Sequence, residues 1–137
     1  MDEVLSHPDP GQLRVIPLFQ DVSAEDLERL ASWMEVRHID PGRRITPQGS
    51  AGYEFFVIEE GTADVIHDGA PIATLAAGDF FGEMAMMGDG RRMADVFATT
   101  PMTILAMFGT RFRELEADLP EIAGRIRATL EERISAL

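Results

Sequence analysis

Two hydrophobic periodicities divide this chain. Leu27, Leu30, Ala31 and Met34 recur at i, i+3, i+4 and i+7, which predicts an amphipathic helix from about Ala24 to Glu35. Ser23 and Asp26 have capping-box spacing at its start, and Trp33 lies off the apolar stripe, at its edge. From Val36 the pattern changes. Short apolar runs alternate with turn signals at Pro41-Gly42, Gly49 to Gly52, Glu60-Gly61, Asp68-Gly69 and Gly78-Asp79. Strands are predicted at Arg37–Ile39, Arg44–Ile45, Glu54–Glu59, Thr62–His67, Ile72–Leu75, Ala94–Ala98 and Thr103–Met107. Asp68-Gly69 between two such runs is a strong hairpin signal.

Near Gly109 helical spacing returns through Leu115, Leu119, Ile122, Ile126, Leu130 and Ile134. Proline cannot sit deep inside a helix, so Pro120 divides this region. One helix is predicted at Thr110–Ala117, with Thr110 as N-cap, and another at Pro120–Ile134, with Gly124 inside it. Upstream, Leu13 to Phe19 is apolar around Pro17 and reads as a short helix and turn. Met1 to Gly11 holds two prolines, a glycine and three acids and reads as loose, so residues 1–15 are expected to be a flexible N-terminal segment. Many short strands with regular turns, flanked by helices, predict an α+β, mainly β, fold of the jelly-roll or double-stranded β-helix kind. Rolling up also limits exposed strand edges.

Composition narrows the function. A length of 137 residues suggests one domain, and 45% hydrophobic content suffices for a core. A formal net charge of −12 argues against general attraction to nucleic acid or to an anionic membrane. Without cysteine, disulfides and thiolate metal sites are excluded. No apolar run approaches the ~20 residues of a membrane span. The start, MDEVLSHPDP, does not read as a signal peptide, so a cytoplasmic location is the simplest expectation.

The candidate chemistry lies in Gly78 to Val96, GDFFGEMAMMGDGRRMADV. Phe80 and Phe81 precede Gly82. Glu83 to Met87 has room for about one helical turn, at 3.6 residues per turn. Gly88, Asp89 and Gly90 break that turn before Arg91 and Arg92. The first turn of a helix leaves backbone N–H groups unpaired, and with the helix dipole they attract an anion. Arg92 would add a forked, permanently charged donor. Glu83 repels a bare phosphate but suits a ligand that also carries a hydroxyl. The alternative is a surface pair of Arg92 with Asp89, worth little.

The run FGEMAMM…RRMADV resembles the phosphate-binding cassette of cyclic nucleotide-binding domains. Glu83 and Arg92 stand at a spacing which that family uses. The similarity extends to IPLF (Ile16–Phe19), PGRRI (Pro41–Ile45) and GSAGYEFFVIEEG (Gly49–Gly61), and covers residues 16–137, the expected binding domain. The resemblance implies a β-roll with a short phosphate-binding helix inserted between strands. It implies a site of Phe81, Gly82, Glu83, Met84, Ala85, Arg92, Met93 and Ala94. There Gly82, Met84 and Ala85 give backbone N–H groups, Glu83 takes the ribose hydroxyl, and Arg92 binds the cyclic phosphate. Met93 and Ala94 line that end. It also implies that the last helix, Pro120–Ile134, closes over the base. By its residues alone, that helix's stripe reads equally as lid, core or dimer seam.

Three positions depart from the family pattern. Arg91 stands where proline is frequent, Met93 where Ala, Ser or Thr is usual, and Asp95, which could compete for Arg92, where Thr or Ser is frequent. A threonine at position 93 would go with cGMP, so the expected ligand is cAMP, with cGMP as the alternative and no metal. Bacterial transcription factors of the family continue into a helix-turn-helix, and no such element follows here, so DNA binding is not expected. An effector domain or a second copy is the expected partner. Two rivals remain. One is a ligand-independent interaction domain with a degenerate pocket. The other is a cupin-type metalloenzyme, but His7, His38 and His67 lie on separate segments without ligand spacing. No catalytic set is recognisable from spacing, and Glu54, Glu59 and Glu60 read as solvated strand-end charges.

Overall fold

The computed structural model describes residues 6–46, 54–82 and 94–135. Among the described residues, eight strands form two four-stranded antiparallel sheets. The strands are β1 (Met34–Ile39), β2 (Arg44–Thr46), β3 (Glu54–Glu60), β4 (Ala63–His67), β5 (Ala70–Leu75), β6 (Phe80–Phe81), β7 (Asp95–Ala98) and β8 (Met102–Phe108). The first sheet has the order β1-β8-β3-β6 and the second β2-β7-β4-β5. Apart from the β4–β5 hairpin, the chain alternates between sheets as it advances, which makes the expected mainly-β roll. The predicted hairpin forms at Asp68 and Gly69, both with positive φ (51° and 79°), and joins His67 to its partner Ala70.

Side-chain alternation explains where the core sits. On β3, Phe55 and Val57 face the helices, while Phe56 and Ile58 face the second sheet. On β8, Leu105 and Met107 face the helices, while Ile104 and Ala106 face inward. A sheet covered on both faces needs apolar residues at successive positions, hence the runs FFVI and ILAM.

Among the described residues are four helices and two 3₁₀ turns, and the helices' buried side chains pack on the outer face of the first sheet. In chain order the elements are α1 (Pro10–Arg14), a turn at Pro17–Phe19, α2 (Ala24–Ser32), a turn at Gly109–Arg111, α3 (Phe112–Asp118) and α4 (Pro120–Ser135). Leu13, Phe19, Leu27, Leu30, Leu115 and Ile126 join one core with the sheet. The Ser23 hydroxyl accepts from the Asp26 N–H at 3.1 Å and caps α2.

Three expectations change. The helix predicted to reach Glu35 stops at Ser32, because Met34 and Glu35 pair with Met107 and Ala106 of β8. The described part of the N-terminal segment is packed rather than loose. The Val36 N–H donates to the Ser6 carbonyl at 2.8 Å, His7 Nδ1 lies 2.7 Å from the Met34 carbonyl, and Leu13 is fully buried. Pro10 there begins α1, where its missing N–H costs nothing. Thr110 falls within the 3₁₀ turn, and Arg111 takes the N-cap position of α3 without a side-chain cap.

Candidate functional site

Two short strands hold the ends of the candidate segment. β6 pairs with β3 through Phe56–Phe81 and Val57–Phe80, so it belongs to the first sheet. β7 lies between β2 and β4 in the second. The strand before the stretch 83–93 thus lies in one sheet and the strand after it in the other. Glu83, Met84, Ala85, Arg92 and Met93 lie outside the described residues, as do the predicted turn at Glu83–Met87 and the loop at Gly88–Gly90. Phe81, Gly82 and Ala94 are described.

Phe80 and Phe81 point to opposite faces of a two-residue strand. The Phe81 ring stacks on Phe56 inside the roll, with centroids 5.0 Å apart, and is only 3% exposed. Phe80 meets Phe55 on the helix side at 5.4 Å. The entrance to the segment is thus pinned to both cores. Gly82 follows with φ +87°, a left-handed backbone that a side chain resists. At the exit, the Ala94 carbonyl accepts from the Thr46 hydroxyl at 3.3 Å, and Thr46 is buried. Asp95 Oδ1 lies 3.9 Å from Arg44 Nη1 on β2, a partly exposed pair.

The last helix reaches the same entrance. Arg133 Nη2 donates to the Phe80 carbonyl at 2.5 Å, and its guanidinium lies 5.2 Å from the Phe80 ring centroid. Further up α4, Arg125 Nη1 donates to the carbonyls of Leu18 (2.7 Å) and Gln20 (3.1 Å). Ile122, Ala123 and Ile126 of the apolar stripe lie in the helix-side core. That part of the stripe is core, one of the readings left open by its spacing. A Cβ added at Gly124 would meet nothing within 4 Å, so close packing does not require that glycine. Sequence reasoning missed both arginines. Their acceptors are backbone carbonyls, which carry no side-chain signal.

A second charged group departs from expectation. Glu54 is not a solvated strand end, because Arg37 donates to its carboxylate and also reaches Glu35 at 3.2 Å. Glu59 accepts from Gln12 Nε2 at 3.1 Å. The hydrogen bond that Arg37 donates to Glu54 raises the Arg37 pKa above its ordinary value, against the opposing effect of burial.

The three histidines stay apart. His7 contacts the Met34 carbonyl, His38 Nδ1 lies 3.3 Å from the Thr103 hydroxyl, and His67 Nε2 lies 3.3 Å from Asp68. Among the described residues, no group of three His, Asp or Glu residues is placed to hold a metal ion. No helix among them is long and apolar enough to cross a membrane.

Comparison with known proteins adds three findings. The family model described as cyclic nucleotide-binding domain matches residues 36–118. A cyclic nucleotide-gated potassium channel of Rhizobium etli is 36% identical over 118 residues, covering 86% of this chain and 33% of the channel. A cAMP-dependent protein kinase regulatory subunit of Colletotrichum orbiculare is 32% identical over 119 residues, covering 85% of this chain and 30% of the subunit. The chain thus spans about a third of the length of these curated relatives. Among solved structures, cAMP-bound PfPKA-R (141-441) superposes with a TM-score of 0.85 at 23% identity, covering 93% of this chain and 44% of that one.

Proposed function

This chain belongs to the cyclic nucleotide-binding domain family, and from that premise we propose that it binds cAMP in preference to cGMP and regulates a partner or a longer polypeptide. The observation that carries the reading lies on either side of the stretch 83–93. The first sheet's pinned aromatic strand and the left-handed Gly82 precede it, β7 of the second sheet follows it, and its sequence contains both Glu83 and Arg92.

In this reading residues 16–137 act as one binding unit. Gly82, Met84 and Ala85 give backbone N–H groups to the phosphate, and Glu83 accepts from the ribose hydroxyl. Arg92 pairs with the cyclic phosphate, Met93 and Ala94 line that end, and the Phe81 ring fixes the segment's entrance. The absence of a hydroxyl at position 93 favours cAMP. α4 leans on the carbonyl of Phe80, so a ligand that moves the segment shifts an existing equilibrium of the helix. The relatives named above support regulation over catalysis.

Calorimetric titration with cAMP and cGMP side by side tests the proposal. Tighter binding of cAMP is expected. A charged hydrogen bond contributes about 1.5–3 kcal/mol, so Arg92→Ala should weaken binding roughly ten- to a hundredfold. Absence of heat at millimolar nucleotide, with the fold intact by circular dichroism, would favour the rival reading of a ligand-independent interaction domain. Met93 and Asp95 are the features that point to that rival.

A further inference from the structure

Among the described residues, Thr46 is the one polar residue that is buried, at 3% exposed. It ends β2, which has three residues and lies at the edge of the second sheet. Its hydroxyl donates to the Ala94 carbonyl at 3.3 Å. Packing alone does not call for a hydroxyl here. Valine is branched in the same way, suits a strand as well and buries no polar group. A buried hydroxyl costs free energy unless it is bonded, so the bond to Ala94 offsets a cost that valine would never incur.

What the hydroxyl holds is main chain just outside the sheet. β7 registers with β2 from Val96 onward and with β4 from Asp95 onward. Ala94 precedes both ladders, so Thr46 carries the hold of the second sheet one residue further toward the stretch 83–93. A second tie from β2 to the same place, Arg44 Nη1 to Asp95 Oδ1, is 3.9 Å long, and Arg44 is half-exposed. Such a pair contributes little.

Arg92 stands two residues before Ala94 in sequence. Two residues of chain span at most about 7 Å, so the point at which Ala94 is fixed bounds where the main chain of Arg92 can lie. A binding group gains affinity from a support that is already in place, because less ordering is left to the moment of binding. We infer that Thr46 is a positioning residue for the nucleotide site, acting through the Ala94 carbonyl on the Arg92 end of the stretch. The inference rests on the reading of Arg92 as the residue that binds the cyclic phosphate. Both cyclic nucleotides carry that phosphate, so Thr46 sets how tightly either is held and leaves the choice between the bases untouched.

Calorimetry of Thr46→Val with cAMP and with cGMP tests this, with the fold checked by circular dichroism. Both affinities should fall by the same factor, about threefold to tenfold. Thr46→Ala, a second removal of the hydroxyl, should do the same, and Thr46→Ser, which keeps it, should bind as the wild type does. In an Arg92→Ala background Thr46→Val should make no further difference, which a merely structural role would not produce. In the nucleotide-free chain, amide hydrogen exchange of the peptide spanning Ala94 to Phe97 should be faster in Thr46→Val than in the wild type. The inference is overturned by any of three results. These are wild-type affinity in Thr46→Val, a loss that persists undiminished without Arg92, or unchanged exchange at Ala94 to Phe97. Each of them leaves cAMP binding by the wild type standing. Failure of the cAMP reading looks different: the wild type itself then binds neither nucleotide, and the inference falls with it.

Discussion

The two sheets have four strands each and are buried very differently. The first is covered on one face by helices and on the other by the second sheet, so the interior of β3 and most of β8 is buried. In the second sheet, β5 is exposed at every position except Leu75, and β4 is mostly half-buried. Stability therefore concentrates in the first sheet, while among the described residues the second sheet is the less covered of the two. A rigid wall against an under-covered one suits a binding roll, because local opening is cheapest where contacts are fewest.

Urea unfolding of variants tests this division. Phe55→Ala, at a ring only 1% exposed in the first sheet, is expected to cost about 3–5 kcal/mol. Gly61 lies where the chain passes from β3 to β4, with φ +99°, and an added Cβ would lie 2.5 Å from the Pro101 carbonyl oxygen. Gly61→Ala should therefore cost about 2 kcal/mol or more through backbone strain and that clash, which would mark the crossing between sheets as tightly packed.

Smaller effects sharpen the comparison. A double-mutant cycle of Arg37→Met and Glu54→Gln should give a coupling of about 1 kcal/mol, since the pair is only partly buried. The Arg37 pKa is raised in the folded state, so its contribution is full below the unfolded-state arginine pKa. It is lost only as strong alkali takes pH up through the folded value, and the coupling should not change between mildly acidic and mildly alkaline buffer. Ile72→Ala, half-exposed on β5, should change stability by no more than about 0.5 kcal/mol. A loss at Ile72 equal to that at Phe55 would break the division between the sheets.

Most strands were legible because turn residues punctuate them: Asp68-Gly69 and Gly78-Asp79 fix two boundaries outright. β6 was not, since two residues give no period to read. The end of α2 was misread because Met34 falls at i+7 of the helical stripe and yet serves β1, where pairing along β8 outweighs local preference. Leu13 was legible as apolar, but nothing local says that its helix docks. The Arg37–Glu54 pair joins strands seventeen positions apart in sequence and leaves no local trace. Of the candidate site, Gly82 and Ala94 sit at the two ends of the sheet-to-sheet crossing, and the Phe81 ring is occupied by the core. The roles of Glu83 and Arg92 come from resemblance, and those residues lie outside the described ones.

Arg133 holds the main chain of Phe80 by a hydrogen bond and its ring by a cation–π contact. Whichever amino acid occupies position 80, the oxygen that receives the guanidinium is still there. The hydrogen-bonded half of the joint between the final helix and the strand ahead of Gly82 is thus guaranteed by the peptide bond. Natural variation at position 80 reaches only the other half, the ring beneath the guanidinium.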